Sequence, residues 1–241
     1  GYMIKKYKAK IIEIVQDTHD VKLFRVVFDG LRELEFLPGQ FFMMSKEGFN
    51  NEKGFPIKRA YSIASSPENK DYVEFCVKKE GIFTNMLFDI SVGSELIIEG
   101  PSGRFVLNEE PKKKEMIFLA SGSGIAPIMA MIRRLKYEKN EGNSYLFFGF
   151  RHTKDFIYEK EIINFPKEIK NFKLIPCVSS GEELIIPHEH GRLNTDVFKK
   201  YINNNENKEV FICGSPNFVK ESKQLCLNFG IKETEIHMEV Y

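Results

Sequence analysis

Up to about residue 110, the chain carries short hydrophobic runs that are rich in β-branched and aromatic side chains. Glycine, proline, aspartate and asparagine bound these runs, as they bound strands joined by tight turns. The predicted strands span residues 23–28, 72–78 and 95–99, the predicted turns span 37–40, 66–69 and 100–103, and one short helix is predicted at about 83–89. Many short strands at this spacing favour an antiparallel β-barrel.

The pattern changes after the polar stretch 108–114, which we interpret as a linker. Beyond it, apolar runs alternate with stretches whose hydrophobic residues recur at helical spacing, as at Ile128, Met131, Ile132 and Leu135. Predicted strands span 116–120, 145–148, 174–178, 210–213 and 236–240, and predicted helices include about 155–163 and 216–229, the latter ending at Gly230. This alternation predicts a doubly wound α/β fold with a parallel sheet. The predicted domains are therefore residues 1–110 and 111–241.

Composition narrows the class of protein. The 241 residues are 42% hydrophobic and 29% charged, and the net charge is +1, so no overall positive field favours nucleic acid as a partner. The four cysteines are far apart and form no CxxC pair, which excludes the usual local zinc and iron–sulfur spacings. With neither a signal peptide nor an apolar membrane span in view, a cytoplasmic protein that does not bind membranes is expected.

Residues 59–65 combine the chemistry that a flavin nucleotide requires. Side chains alternate along a strand, so Arg59 and Tyr61 are expected on one face, and Ala60 and Ser62 on the other. A guanidinium can bind a phosphate through two hydrogen bonds, an aromatic ring can stack on a flat heterocycle, and a serine hydroxyl can hydrogen-bond a polar ring edge.

A glycine-rich turn follows the predicted strand 116–120 and precedes a predicted helix. Gly122, Ser123 and Gly124 would let backbone N–H groups approach a pyrophosphate, and Pro127 fits the first helical turn. The alternative is a tight βα turn without a ligand. The separate flavin-like motif in the same chain favours the nucleotide interpretation.

Two further elements indicate a function only when they are considered together with the motifs above. Cys213 and Gly214 end a predicted parallel strand, where ligands of such sheets bind, although a cysteine there is by itself more often a small buried hydrophobic residue. Glu239 and Tyr241 lie at the terminus, which ordinarily frays.

Taken together and in this order, these elements resemble the ferredoxin–NADP(+) reductase superfamily over essentially the whole chain. The resemblance rests on the Arg-x-Tyr-Ser motif at Arg59, the Cys-Gly segment at Cys213, residues 75–78 and 100–103, and the ending 239–241. It implies an N-terminal FAD-binding barrel and a C-terminal nicotinamide-nucleotide domain.

The resemblance also implies roles for individual residues. Arg59 would hold the flavin pyrophosphate, Tyr61 would stack on the isoalloxazine, and Ser62 would reach its reactive N5 edge. Tyr241 would cover the other flavin face. Further flavin contacts are implied at Ala60, at Cys76, Val77 and Lys78, and at the phosphate-binding turn formed by Gly81, Ile82, Phe83 and Thr84.

By the same resemblance, Cys213 would lie beside the nicotinamide C4 and Glu239 in a proton path near Ser62, so these three are the candidate catalytic residues. Gly122, Ser123, Gly124, Pro127 and Gly214 would contact the coenzyme.

The choice between NADPH and NADH stays open at this point. Arg151 and Arg192 are candidates to bind a 2′-phosphate, and a solvated surface role is the alternative for both. Members of the superfamily often carry an arginine directly after the serine that follows the third strand, whereas here Ser179 is followed by Ser180.

We interpret two other polar clusters as structural features rather than as binding sites. His188, Glu189 and His190 are interpreted as a polar loop, so no metal site is predicted. Lys112–Lys114 is interpreted as a linker rather than as a docking patch for an acidic ferredoxin.

The predicted function is that of an FAD-dependent oxidoreductase that exchanges a hydride with NADPH or NADH. Single electrons would pass to ferredoxin or another carrier in trans, since a fused plant-type ferredoxin would need four clustered cysteines. A monomer is favoured. The alternatives are an electron-transfer subunit of a larger oxidoreductase or oxygenase complex, and a non-enzymatic nucleotide-binding sensor.

Overall fold

The computed structural model describes residues 4–108 and 114–241. The chain divides into two compact units, one formed by Gly1–Leu107 with Met129–Arg134 and the other by Asn108–Ile128 with Leu135–Tyr241. Most of the linker predicted at 108–114, including the boundary at 110, lies outside the described residues.

The first unit is a nearly closed antiparallel barrel, which confirms the predicted fold of this half. Its strands are β1 (Lys5–Thr18), β2 (Val21–Val27), β3 (Phe41–Ser45), β4 (Arg59–Ser62), β5 (Val73–Lys78) and β6 (Glu95–Ser102), with the helix α1 at Ile82–Asp89. The strand order is β4-β3-β6-β1-β2-β5. An isolated bridge between Ile63 and Phe75 brings the two outer strands together.

The barrel interior is filled by side chains that alternate along the strands. Val73, Phe75 and Val77 of β5 belong to the hydrophobic cluster inside the barrel, while Glu74 and Cys76 between them are buried outside that cluster. The core rings of Phe42 and Phe75 meet edge to face, with centroids 6.2 Å apart. This packing fixes β5 in place beside the segment that follows β4.

The second unit is a parallel sheet with helices between its strands, as predicted. Its strands are β7 (Glu115–Ser121), β8 (Ser144–Phe150), β9 (Phe172–Val178), β10 (Glu189–His190), β11 (Lys208–Gly214) and β12 (Ile236–Val240), and its helices are α2 (Ile125–Tyr137), α3 (Glu159–Glu168), α4 (Thr195–Tyr201) and α5 (Pro216–Phe229). Of α2, Met129–Arg134 are grouped with the first unit. The strand order β10-β9-β8-β7-β11-β12 places the glycine-rich turn after β7 next to the end of β11.

Several predicted boundaries are wrong. The helix predicted at about 155–163 begins only at Glu159, because Tyr158 adopts a left-handed conformation (φ 58°) that cannot continue a helix. The turn predicted at 100–103 is largely strand, since β6 continues to Ser102. Sequence reasoning missed β1, β3, β10 and α4.

None of the helices that the structure describes is both long and apolar enough to cross a membrane.

Candidate functional site

In the first unit, the barrel opens along a seam between β4 and β5. The two strands meet at the Ile63–Phe75 bridge, where the Ala64 N–H also donates to the Glu74 carbonyl at 2.9 Å. Among the described residues no continuous ladder joins β4 to β5 beyond this point. If the antiparallel register of the Ile63–Phe75 bridge is continued along both strands, Tyr61 lies opposite Val77. The seam therefore offers strand edges to which another molecule can hydrogen-bond.

Tyr61 supplies an aromatic surface at this seam. Its ring is half-buried, packs against the barrel core and stacks on Phe83 of α1 with centroids 6.1 Å apart and an interplanar angle of 21°. Burial, followed by the charge of Glu80, raises the pKa of the Tyr61 phenol, so this ring is neutral at physiological pH. Ser62, the next residue of β4, is buried, while Arg59 and Ala60 are exposed.

Positive charge lies beside the same strand. The Arg59 guanidinium is exposed, and its Nη1 donates to the carbonyl of Lys58 at 2.9 Å. It makes no ion pair with a carboxylate in the described part of the chain, whereas the neighbouring Lys58 ammonium pairs with Glu99 at 3.0 Å. Lys78 of β5 is also exposed. Arg59 and Lys78 can thus bind an anion without first breaking a salt bridge.

In the turn at the start of α1, a threonine hydroxyl forms hydrogen bonds with the backbone of the same turn. Thr84 Oγ1 accepts hydrogen bonds from the N–H groups of Glu80 (2.8 Å) and Gly81 (2.9 Å) and donates to the Gly81 carbonyl (3.1 Å). Thr84 and Phe83 are buried, while Gly81 and Ile82 are exposed. Any phosphate contact at this turn would therefore come from backbone N–H groups rather than from the Thr84 hydroxyl.

A buried carboxylate anchors the closed end of the seam. Glu74 of β5 is fully buried, and its two oxygens accept from Arg25 Nε and Arg133 Nη1, each at 2.9 Å. Arg133 Nη1 also donates to the Ala64 carbonyl at 2.8 Å, and the Glu74 N–H donates to Ser65 Oγ at 3.0 Å. The segment that follows β4 is therefore held through both its carbonyl and its hydroxyl. Sequence reasoning missed this network, although a glutamate inside the apolar run 73–77 was a signal for it.

In the second unit, the glycine-rich turn lies against the end of β11. A Cβ at Gly124 would collide with the Cys213 carbonyl, and one at Gly214 would collide with the Ser121 hydroxyl, so both positions need glycine for close approach. Gly122 has φ +51° and open space around it. The turn therefore leaves its outer side accessible for a ligand at the start of α2.

The strand-end residues predicted for this unit lie at the same edge of the sheet. Cys213 pairs with Glu239 between β11 and β12, and the Tyr241 N–H donates to the Gly214 carbonyl at 2.8 Å. Cys213 is fully buried, and burial, followed by the charge of Glu239, raises the pKa of its thiol. The thiol is therefore protonated and has no thiolate character.

The ends of β8 and β9 carry an exposed carboxylate that sequence reasoning missed. Glu182 lies 2.5 Å from His152 Nδ1 through one oxygen, and its other oxygen accepts from Thr153 Oγ1 (3.0 Å) and N–H (3.3 Å). These bonds, that of His152 first, lower the pKa of Glu182 to about 2. Arg151 is exposed nearby, while Arg192 forms an exposed ion pair with Glu221 at 2.9 Å.

Comparison with known proteins assigns the two units. Residues 8–107 match the model of the oxidoreductase FAD-binding domain, and residues 118–224 match that of the oxidoreductase NAD-binding domain. The chain belongs to the ferredoxin–NADP(+) reductase superfamily. As in the superfamily, FAD and a nicotinamide dinucleotide are its ligands. The seam lies within the FAD-binding match, and the glycine-rich turn and Cys213 lie within the NAD-binding match.

Two individual relatives are each 29% identical to this chain. The chain is 29% identical over 226 residues to the reductase component of propane 2-monooxygenase from Mycolicibacterium goodii, covering 91% of this chain and 63% of that protein. It is 29% identical over 241 residues to the glycine betaine monooxygenase reductase subunit of Pseudomonas aeruginosa, covering 98% and 64%. The chain thus spans less than two-thirds of the length of these relatives.

The fold is also that of a solved reductase. A cytochrome P450 reductase from Amycolatopsis superimposes with a TM-score of 0.87 at 21% identity, covering all of this chain and 71% of the other.

Proposed function

We propose that this chain is a flavoenzyme that takes a hydride from a nicotinamide coenzyme and passes electrons singly to a separate carrier protein. The observation that carries the proposal is the open β4–β5 seam, which combines an aromatic ring, an exposed guanidinium and strand edges within the FAD-binding match. Bound FAD would supply the redox chemistry, since it accepts two electrons together and can release them one at a time. A cytoplasmic location and a monomeric state complete the proposal.

The residues at the seam suit the parts of FAD. Tyr61 offers a neutral ring for stacking, and the edge of β4 that faces the seam offers backbone hydrogen bonds to a polar ring edge. Arg59 and Lys78 suit the pyrophosphate because neither is committed to a carboxylate among the described residues. Ser62 stays the predicted contact to the flavin N5 edge.

The strand-end residues of the second unit suit coenzyme binding. The turn at Gly122–Gly124 would hold the pyrophosphate, with Ser123 half-exposed beside it. Because its thiol is protonated, Cys213 would act by packing and hydrogen bonding rather than as a nucleophile. Glu239 and Tyr241 keep their predicted roles in proton transfer and in covering the flavin.

The electron acceptor is inferred from the relatives. Two of them are reductase parts of monooxygenase systems, which supports an oxygenase or its ferredoxin as the acceptor. The same observation supports a second candidate function, that of an electron-transfer subunit in a lasting oxygenase complex. Co-elution with an oxygenase component would favour this second function, whereas rapid turnover with soluble ferredoxin and no co-elution would favour the first.

An anaerobic titration tests the central step. The protein is loaded with FAD, and the flavin absorbance is followed as NADH or NADPH is added. We expect stoichiometric uptake of FAD and loss of its oxidised absorbance with one of the coenzymes. Failure to bind FAD would contradict the proposal at its base, and FAD that stays oxidised with both coenzymes would indicate a sensor instead.

Glu182 leads us to expect that NADH is the preferred coenzyme. Its carboxylate is held at the ends of β8 and β9, where it could accept from a ribose 2′-hydroxyl but would repel a 2′-phosphate. The Glu182→Gln variant is expected to raise kcat/KM for NADPH relative to NADH by about tenfold. Steady-state kinetics with both coenzymes measure the ratio, and Glu183→Gln serves as the neighbouring control. An unchanged ratio in Glu182→Gln would show that this carboxylate does not discriminate between the two coenzymes.

A further inference from the structure

The loop that follows β9 brings two histidines and a glutamate together. Atoms of Glu183, His188 and His190 that could bind a metal all lie within 4.8 Å of one another. Glu183 Oε2 is 3.1 Å from His188 Nε2, and Glu183 Oε1 is 2.6 Å from His190 Nε2. Glu189, which lies between the histidines in sequence, is not part of this cluster, because it binds Lys200 and Tyr201 instead.

The hydrogen bonds of His188 fix which of its nitrogens can bind a cation. Its Nδ1 lies 2.7 Å from the carbonyl of Ile186, which can only accept, so Nδ1 carries a hydrogen. The Leu184 N–H donates weakly to Nε2 at 3.4 Å, so Nε2 acts as an acceptor. The His188 side chain is only 7% exposed, which holds this arrangement in place.

Two acceptors therefore face each other in this cluster. With its Nδ1 directed at the Ile186 carbonyl, His188 turns Nε2 toward a carboxylate oxygen 3.1 Å away, so a cation between these two atoms would be bound by both. Histidines that bind metals commonly donate their second ring N–H to a backbone carbonyl, as His188 does to Ile186.

We propose that Glu183, His188 and His190 form a binding site for zinc. Two imidazole nitrogens and one carboxylate are ligands that zinc accepts, leaving a fourth position for water. Ligands of tetrahedral zinc lie roughly 3.3 Å apart, close to the His188–Glu183 separation. The His190 and Glu183 side chains are 57% and 73% exposed, so they can open from 2.6 Å by side-chain rotation.

Zinc at this site would join the loop to the sheet. His190 belongs to β10, whose backbone pairs with Val178 of β9, whereas Glu183 and His188 belong to the loop before it. The metal would thus fasten residues 183–188 to the edge strand and slow their amide exchange.

The test is a zinc titration of the full chain loaded with FAD, in competition with a chromophoric chelator. We expect one zinc per chain, and an association constant that falls at least about tenfold in each of Glu183→Gln, His188→Ala and His190→Ala, since loss of even an outer hydrogen-bond partner costs about 10–100-fold. Glu182→Gln and His152→Ala are matched controls, because no second histidine joins that His–Glu pair in a metal-binding cluster among the described residues.

A second readout is hydrogen exchange of residues 181–190, which zinc should slow in the wild type but not in His188→Ala. Circular dichroism checks that each variant is folded. Absence of stoichiometric zinc binding would overturn the proposal. A smaller loss than tenfold in any of the three variants would overturn the three-ligand assignment. Neither result depends on whether the enzyme turns over.

Discussion

Replacing Glu74 by glutamine is expected to lower the free energy of unfolding by about 3 kcal/mol, because breaking a buried ion pair leaves its partners without compensation. Glu74 is fully buried and its carboxylate accepts from Arg25 and Arg133. An amide keeps the shape of the side chain but removes the charge that both guanidinium groups share. Chemical denaturation followed by circular dichroism measures the change.

The chain offers a matched control for this prediction. Glu13 is the other carboxylate that binds Arg25, at 2.8 Å, but its side chain is 50% exposed. Glu13→Gln should therefore cost less than about 1 kcal/mol, as exposed pairs do. Equal losses in the two variants would show that burial of Glu74 does not set the strength of its pairs.

Replacing Arg59 by glutamine is expected to weaken FAD binding by about 10- to 100-fold. A hydrogen bond to a charged group contributes about 1.5–3 kcal/mol, and here the guanidinium is assigned to the flavin pyrophosphate. Fluorescence quenching of FAD on addition of apoprotein measures the dissociation constant.

Lys58→Gln provides the comparison, because it removes an adjacent cation that is already paired with Glu99. FAD affinity should change little in this variant. If both variants weakened FAD binding equally, overall positive charge rather than Arg59 itself would hold the pyrophosphate.

Hydrophobic patterning predicted the fold class well, for physical reasons. The central strands β7, β8 and β11 of the second unit are buried over most of their length, so they stand out as apolar runs. The edge strand β12 and the helix α5 were predicted with the bounds that the structure shows. In contrast, β1 has 14 residues, and most of its positions are exposed or half-buried, so lysine and glutamate interrupt its pattern. The two-residue β10 is too short to carry any pattern.

Individual site residues could be proposed from the sequence where a local motif carries the chemistry. Tyr61 and Gly124 fall into this class, since a strand or turn of a few residues sets their environment. Glu182 and Glu183 do not, because their partners are brought to them by the end of β8 and by β10. Pairings of this kind depend on strand order, which the sequence of one chain does not encode locally.

The edge of β4 that faces the seam has a consequence for producing the protein in cells. This strand has only four residues, and the edge that it turns toward the seam is the kind of template to which other polypeptides attach. We expect cofactor supply to govern recovery: chains synthesised faster than the host provides riboflavin-derived nucleotide would accumulate as aggregates. Supplementing the growth medium with riboflavin should shift the product from the pellet to the supernatant.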